Sequence, residues 1–65
     1  MRKLTVAQII EYFECVGFVF IETEQNMIYF IDTQGEEYSY DAERNTLTEV
    51  MTEIIELHMA IINLN

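Results

Sequence analysis

Few side chains in this sequence could do covalent or metal chemistry. Cys15 is the only thiol and His58 the only imidazole among the 65 residues. A structural zinc site takes four Cys or His ligands at close spacings, and this pair cannot supply one. Cys15 falls one helical turn after Glu11, and a neighbouring carboxylate opposes formation of a reactive thiolate. It is expected to be a structural or surface thiol. His58, between Leu57 and Met59, reads as an edge or interface residue. The two glycines, Gly17 and Gly35, are too few and too far apart for a loop that cradles phosphate.

The segment 32–43 invites comparison with a calcium loop. Asp32, Gln34, Glu36 and Glu43 stand at positions 1, 3, 5 and 12 of a twelve-residue register. Position 6, where such loops need glycine for a sharp turn, is Glu37, and the glycine stands at position 4. A hairpin accounts for the same residues better. No Ser/His/Asp or Cys/His arrangement is present, and a chain this short has little room for the ~300 Å³ cleft of an ordinary ligand site. The expectation is a protein that is not an enzyme and needs no metal or cofactor.

The remaining chemistry is charge. Twelve carboxylates face three basic residues, for a net charge of −9. Such a field repels nucleic acid and anionic lipid and favours a basic protein partner. Three cations cannot neutralise the six or more phosphates of a usual DNA footprint, so direct nucleic-acid binding is not expected. Seven of the twelve acids fall within 22 residues: Glu22, Glu24, Asp32, Glu36, Glu37, Asp41 and Glu43. Five of them, Asp32, Glu36, Glu37, Asp41 and Glu43, are interleaved with Tyr38 and Tyr40. Together these seven residues form the expected partner-binding surface, phosphate-like charge beside aromatic anchors. Acidity that merely keeps a greasy small protein soluble is the alternative.

The elements that must carry these residues are legible. Thr5-Val6-Ala7-Gln8 has the pattern of a capping box, with Leu4 and Ile9 placed as a hydrophobic staple. Val6, Ile9, Ile10, Phe13 and Val16 then share one helical face, and Gly17 ends the helix in the left-handed conformation. Three strands are expected next. Phe18 to Glu24 should set Phe18, Phe20 and Glu22 on one face and Val19, Ile21 and Thr23 on the other. After a tight turn at Gln25-Asn26, with Asn26 at positive φ, Met27 to Asp32 is apolar on both faces, as befits a central strand. A turn at Thr33-Gln34-Gly35 leads to Glu36 to Tyr40, with Tyr38 and Tyr40 opposite Glu37 and Ser39. A second capping box, Thr46 to Glu49, opens a final helix. On it Leu47, Val50, Ile54, Leu57, Ile61 and Leu64 repeat at steps of three and four, beside a row of Met51, Ile55 and Ile62.

The expected fold is therefore α+β, ordered α-β-β-β-α, a three-stranded antiparallel meander with two helices packed on it in a single domain, 1–65. A chain of this size buries only about 60% of its unfolded surface. One cysteine excludes an internal disulfide and fits a reducing, cytoplasmic setting. Arg2 and Lys3 precede a segment broken by Gln8, Glu11 and Glu14, unlike a signal peptide, and no apolar run reaches the ~18 residues needed to cross a bilayer. Self-association as a homodimer through Val50, Ile54, Leu57, Ile61 and Leu64 is the expected source of extra stability.

The capped first helix, the acidic meander with its Asp-x-x-Gly-x-Glu-Tyr turn (Asp32, Gly35, Glu37, Tyr38), the following Asp41 and Glu43, and the amphipathic last helix together resemble small phage anti-CRISPR proteins. The layout is similar to the acidic type that occupies the DNA-docking groove of the guide-RNA nuclease. The resemblance implies an inhibitor in the host cytoplasm that blocks a basic surface of a nuclease or of its RNA complex. Two functions remain open: such a nucleic-acid mimic, or a homodimeric accessory protein whose charge only confers solubility.

Overall fold

The computed structural model describes residues 3–63, and the side chains of 3–59. The order is α-β-β-β-α, as the sequence pattern predicts: α1 (Val6–Cys15), β1 (Val19–Glu24), β2 (Met27–Ile31), β3 (Glu37–Asp41) and α2 (Leu47–Asn63). The strands form one antiparallel sheet in the order β1-β2-β3.

Both helices start where their sequences say they should. At α1, Thr5 Oγ1 accepts from the Gln8 N–H at 3.2 Å, and Gln8 Oε1 accepts from the Thr5 N–H at 2.9 Å. At α2, Thr46 Oγ1 accepts from the Glu49 N–H at 3.2 Å, and the Glu49 carboxylate accepts from the Thr46 N–H and hydroxyl at 3.2 and 2.8 Å. These bonds satisfy donors that a helix N-terminus otherwise leaves orphaned. The end of α1 is a Schellman motif. Gly17 sits at φ +100°, its N–H donates to Glu14 O at 3.1 Å, and the Phe18 N–H donates to Phe13 O at 3.2 Å. Phe18 thereby folds back on Phe13, with ring centroids 5.7 Å apart, edge to face. It belongs to this cap, and β1 begins one residue later.

The core lies between the two helices and one face of the sheet. Ile9 and Phe13 of α1, Val50 and Ile54 of α2, and Ile28, Phe30 and Tyr40 of the sheet are buried together with Leu4 and Phe18. Phe13 is its centre: its ring stacks on Phe30 at 4.5 Å and lies 5.3 Å from that of Tyr40. Leu4 is held there by a bond from its N–H to Asn45 O at 2.6 Å, next to a bridge between Lys3 and Thr46.

Three details depart from the pattern read off the sequence. The register shifts between Phe20 and Glu22, so Ile21 and Glu22 together oppose Tyr29. This bulge sends Glu22 to the face away from the core and pairs Thr23 with buried Ile28 on the core side, so Glu22 parts from Phe20 and Thr23 from Val19 and Ile21, with which alternation groups them. In the β1–β2 turn the positive φ belongs to Gln25, at +55°, and not to Asn26. A positive first and negative second central residue is the sign pattern of a II′ turn, which suits the twist of a hairpin. In α2, Val50 and Ile54 are core residues and Leu57 packs against them. Much of the heptad seam is thus consumed within the chain and not offered to a second copy. The side chain of Ile61 and the whole of Leu64, also expected there, lie outside the described residues.

Candidate functional site

Both helices pack on one side, and among the described residues nothing covers the other face of the sheet. The strand pairing fixes which residues compose it. Val19, Ile31 and Glu37 form one row; Glu22, Tyr29 and Ser39 the next; Glu24, Met27 and Asp41 the last. Ile21, following core-facing Phe20, adds to this side. Val19 and Ile21 are 58% and 45% exposed, and Met27, Tyr29 and Ile31 are each half-buried.

Read along the strands, the face is a ridge between two acidic columns. Met27, Tyr29 and Ile31 run down the middle on β2, spaced about 6.7 Å apart. Glu22 and Glu24 stand on β1 to one side, and Glu37 and Asp41 on β3 to the other, each strand about 4.8 Å away. Four carboxylates therefore border a partly exposed apolar strip. The Arg44–Glu53 pair, at 3.3 Å, is the one ion pair among the described residues, so none of these four acids is neutralised by a described cation.

The acids singled out from the sequence divide into two groups. Asp32, Asp41 and Glu43 shape the loops. Asp32 Oδ1 accepts from the N–H groups of Gln34 and Glu36 at 2.8 and 2.9 Å, closing the β2–β3 turn around Gly35, whose φ is +86°. Asp41 Oδ1 accepts from the Glu43 N–H at 2.9 Å, and Glu43 Oε1 accepts from Asn26 Nδ2 at 2.9 Å, tying the first hairpin turn to the connection before α2. Glu36 and Glu37 are exposed. Asp41 does both jobs, because its position in β3 also puts it on the open face.

The two tyrosines named with these acids lie on the opposite side of the sheet. Tyr40 is 3% exposed; its hydroxyl donates to Arg44 O at 2.6 Å, and the Arg44 guanidinium sits 5.3 Å from its ring centroid. Burial raises its pKa, opposed by the charge of Arg44 and reinforced by Glu49, Glu53 and Asp41. Tyr38 is half-buried against Phe18, their rings perpendicular at 5.4 Å. The aromatic group within the acidic face is Tyr29, which sequence reasoning assigned to a central strand without a role. The signal was available: β2 is apolar at every position, yet helices drawn from the two chain ends can both pack on one side.

The other features are modest. Cys15 is exposed in a shallow depression of 210 Å³ with Gln8, Glu11 and Tyr12. His58 borders an apolar groove with Val16, Ile54, Ile55 and Met59, where Ile55 and Met59 are 59% and 52% exposed. Among the described residues no group of three or more His, Cys, Asp or Glu side chains is placed to hold a metal ion, and no helix is long and apolar enough to cross a membrane. No protein family, characterised protein or solved structure matches this chain.

Proposed function

We propose that this protein works by binding, without catalysis, and that its open sheet face docks on a basic protein surface of the kind that normally holds nucleic acid. The observation that carries this reading is the ridge of Met27, Tyr29 and Ile31 bordered by Glu22, Glu24, Glu37 and Asp41. Carboxylates on a rigid sheet are pre-positioned for Lys and Arg side chains, and the net charge of −9 steers the encounter. An inhibitor that occupies a nuclease's DNA groove, as the resemblance to acidic anti-CRISPR proteins implies, would use such a face. Competition tests this: the protein should displace a fluorescent duplex oligonucleotide from a guide-RNA nuclease, less effectively as salt rises. Failure to displace it at about 50 mM salt, where the Debye length is still roughly 14 Å, would remove the proposal.

Self-association is a second reading, supported by the groove at Val16, Ile55 and Met59. It concerns the opposite side of the molecule and is compatible with the first. Exposed apolar side chains grouped in one groove are the usual mark of an interface.

A further inference from the structure

We infer that what docks on the open sheet face is an amphipathic α-helix of the partner protein, with an apolar stripe flanked by Lys and Arg. This deepens the proposed function and rests on it. Pure phosphate mimicry requires carboxylates alone. Here the carboxylates stand in columns on either side of an apolar ridge, and that arrangement has its own complement.

The dimensions agree. Met27 to Ile31 spans about 13 Å along β2, which is about two and a half turns of a helix at 5.4 Å per turn. The acidic columns on β1 and β3 are about 10 Å apart, the diameter of a helix with its side chains. A helix lying along β2 would bury its stripe on Met27, Tyr29 and Ile31. Basic side chains on its two flanks would then reach Glu22 and Glu24 on one side and Glu37 and Asp41 on the other. Val19 and Ile21 extend the apolar contact at the β1 side.

Other occupants fit worse. A nucleic-acid backbone meets four carboxylates and is repelled. A second copy of this chain would bring the same four acids against their own kind. A strand added to the β1 edge meets the bulge at Ile21–Glu22, a device that discourages edge pairing.

The test uses three cationic probes of equal charge: an 18-residue helical Leu/Lys peptide with one leucine stripe, a scrambled peptide of the same composition, and oligolysine. Binding is measured by anisotropy at low and moderate salt, and mapped by amide chemical shifts of the labelled protein. The amphipathic peptide should bind at least about tenfold tighter than either control at moderate salt, a difference that burial of a few tens of Å² of apolar surface supplies. Shifts should centre on Met27, Tyr29 and Ile31. The pair Tyr29→Thr and Ile31→Thr should weaken it about tenfold, while Ile55→Thr leaves it unchanged. Equal binding of all three probes would overturn the helix inference and leave the basic-surface reading standing. Shifts centred on Val16, Ile55 and Met59 would overturn the inference as well. No binding of any cationic probe at low salt would remove both.

Discussion

Tyr29 and Phe30 are neighbours on β2 that face opposite ways, and substituting each should separate the two faces energetically. Phe30 is fully buried, stacked on Phe13 at 4.5 Å and edge-on to Phe18 and Phe20 at 6.3 Å. Truncating such a ring to alanine costs about 3–5 kcal/mol, from lost transfer energy and the cavity left behind. A 65-residue domain has a total stability of roughly 3–10 kcal/mol. Phe30→Ala is therefore expected to lose from about a third to all of that stability, and Phe30→Leu provides a gentler probe that stays within range. Tyr29 lies on the open face among Glu22 and Ser39, so Tyr29→Thr replaces one strand-favouring residue with another and should cost less than about 1 kcal/mol. Urea denaturation followed by circular dichroism measures both. Comparable losses at the two positions would refute the reasoning, because Tyr29 would then have to be covered in the folded protein.

Other consequences follow from single contacts. Gly17 has open space where a Cβ would go, yet its φ is +100°; Gly17→Ala should lower stability by about 1–2 kcal/mol through backbone strain alone, read as a drop in Tm. The bonds from Thr46, first its side chain and then its backbone, lower the Glu49 pKa from 4.5. A depressed carboxylate contributes stability above its unfolded pKa and loses it as pH falls through the folded one. The acid limb of the stability curve below pH 4.5 should therefore be shallower in Glu49→Gln. For Tyr40, whose pKa is raised, the sign reverses: stability is present below pH 10.0 and lost above it, and Tyr40→Phe should soften alkaline unfolding. If self-association uses the helix groove, Ile55→Lys with Met59→Lys should yield a monomer by light scattering from a larger wild-type species; a wild type of 7.7 kDa would refute that reading.

The fold was legible because its local signals agree with one another. Two capping boxes, a C-terminal glycine and strand-length apolar segments place every element to within a residue or two. The candidate site was legible only in its ingredients. Strict alternation from Phe18 onward cannot anticipate a bulge, so it groups Glu22 with Phe18 and Phe20 although pairing carries it to the opposite face. The grouping of Tyr38 and Tyr40 with their neighbouring acids is sequential; in a strand, adjacent residues face opposite ways, and both tyrosines turn to the helices. The α2 seam shows the same ambiguity. A heptad pattern specifies an apolar stripe but not whether a sheet or a second helix covers it, and here Val50 and Ile54 meet the sheet side of the same chain. Asp32 looks like one acid among many until its two backbone bonds show it shaping the turn.

The most direct test of the proposed docking face compares two triple variants of equal charge. Glu22, Glu24 and Glu37 border the ridge, whereas Glu11, Glu14 and Glu56 are exposed on the helices. Replacing either trio with glutamine takes the net charge from −9 to −6 and leaves the turn-shaping Asp32, Asp41 and Glu43, the cap Glu49 and the ion-paired Glu53 intact. Each variant is titrated against the guide-RNA nuclease holding a fluorescent duplex, with melting curves confirming the fold. The sheet variant should lose at least about tenfold in displacement, the scale of a few interfacial charge contacts, and the helix variant less than about threefold. Equal losses would mean that bulk charge alone drives binding and that the open face has no special part in it.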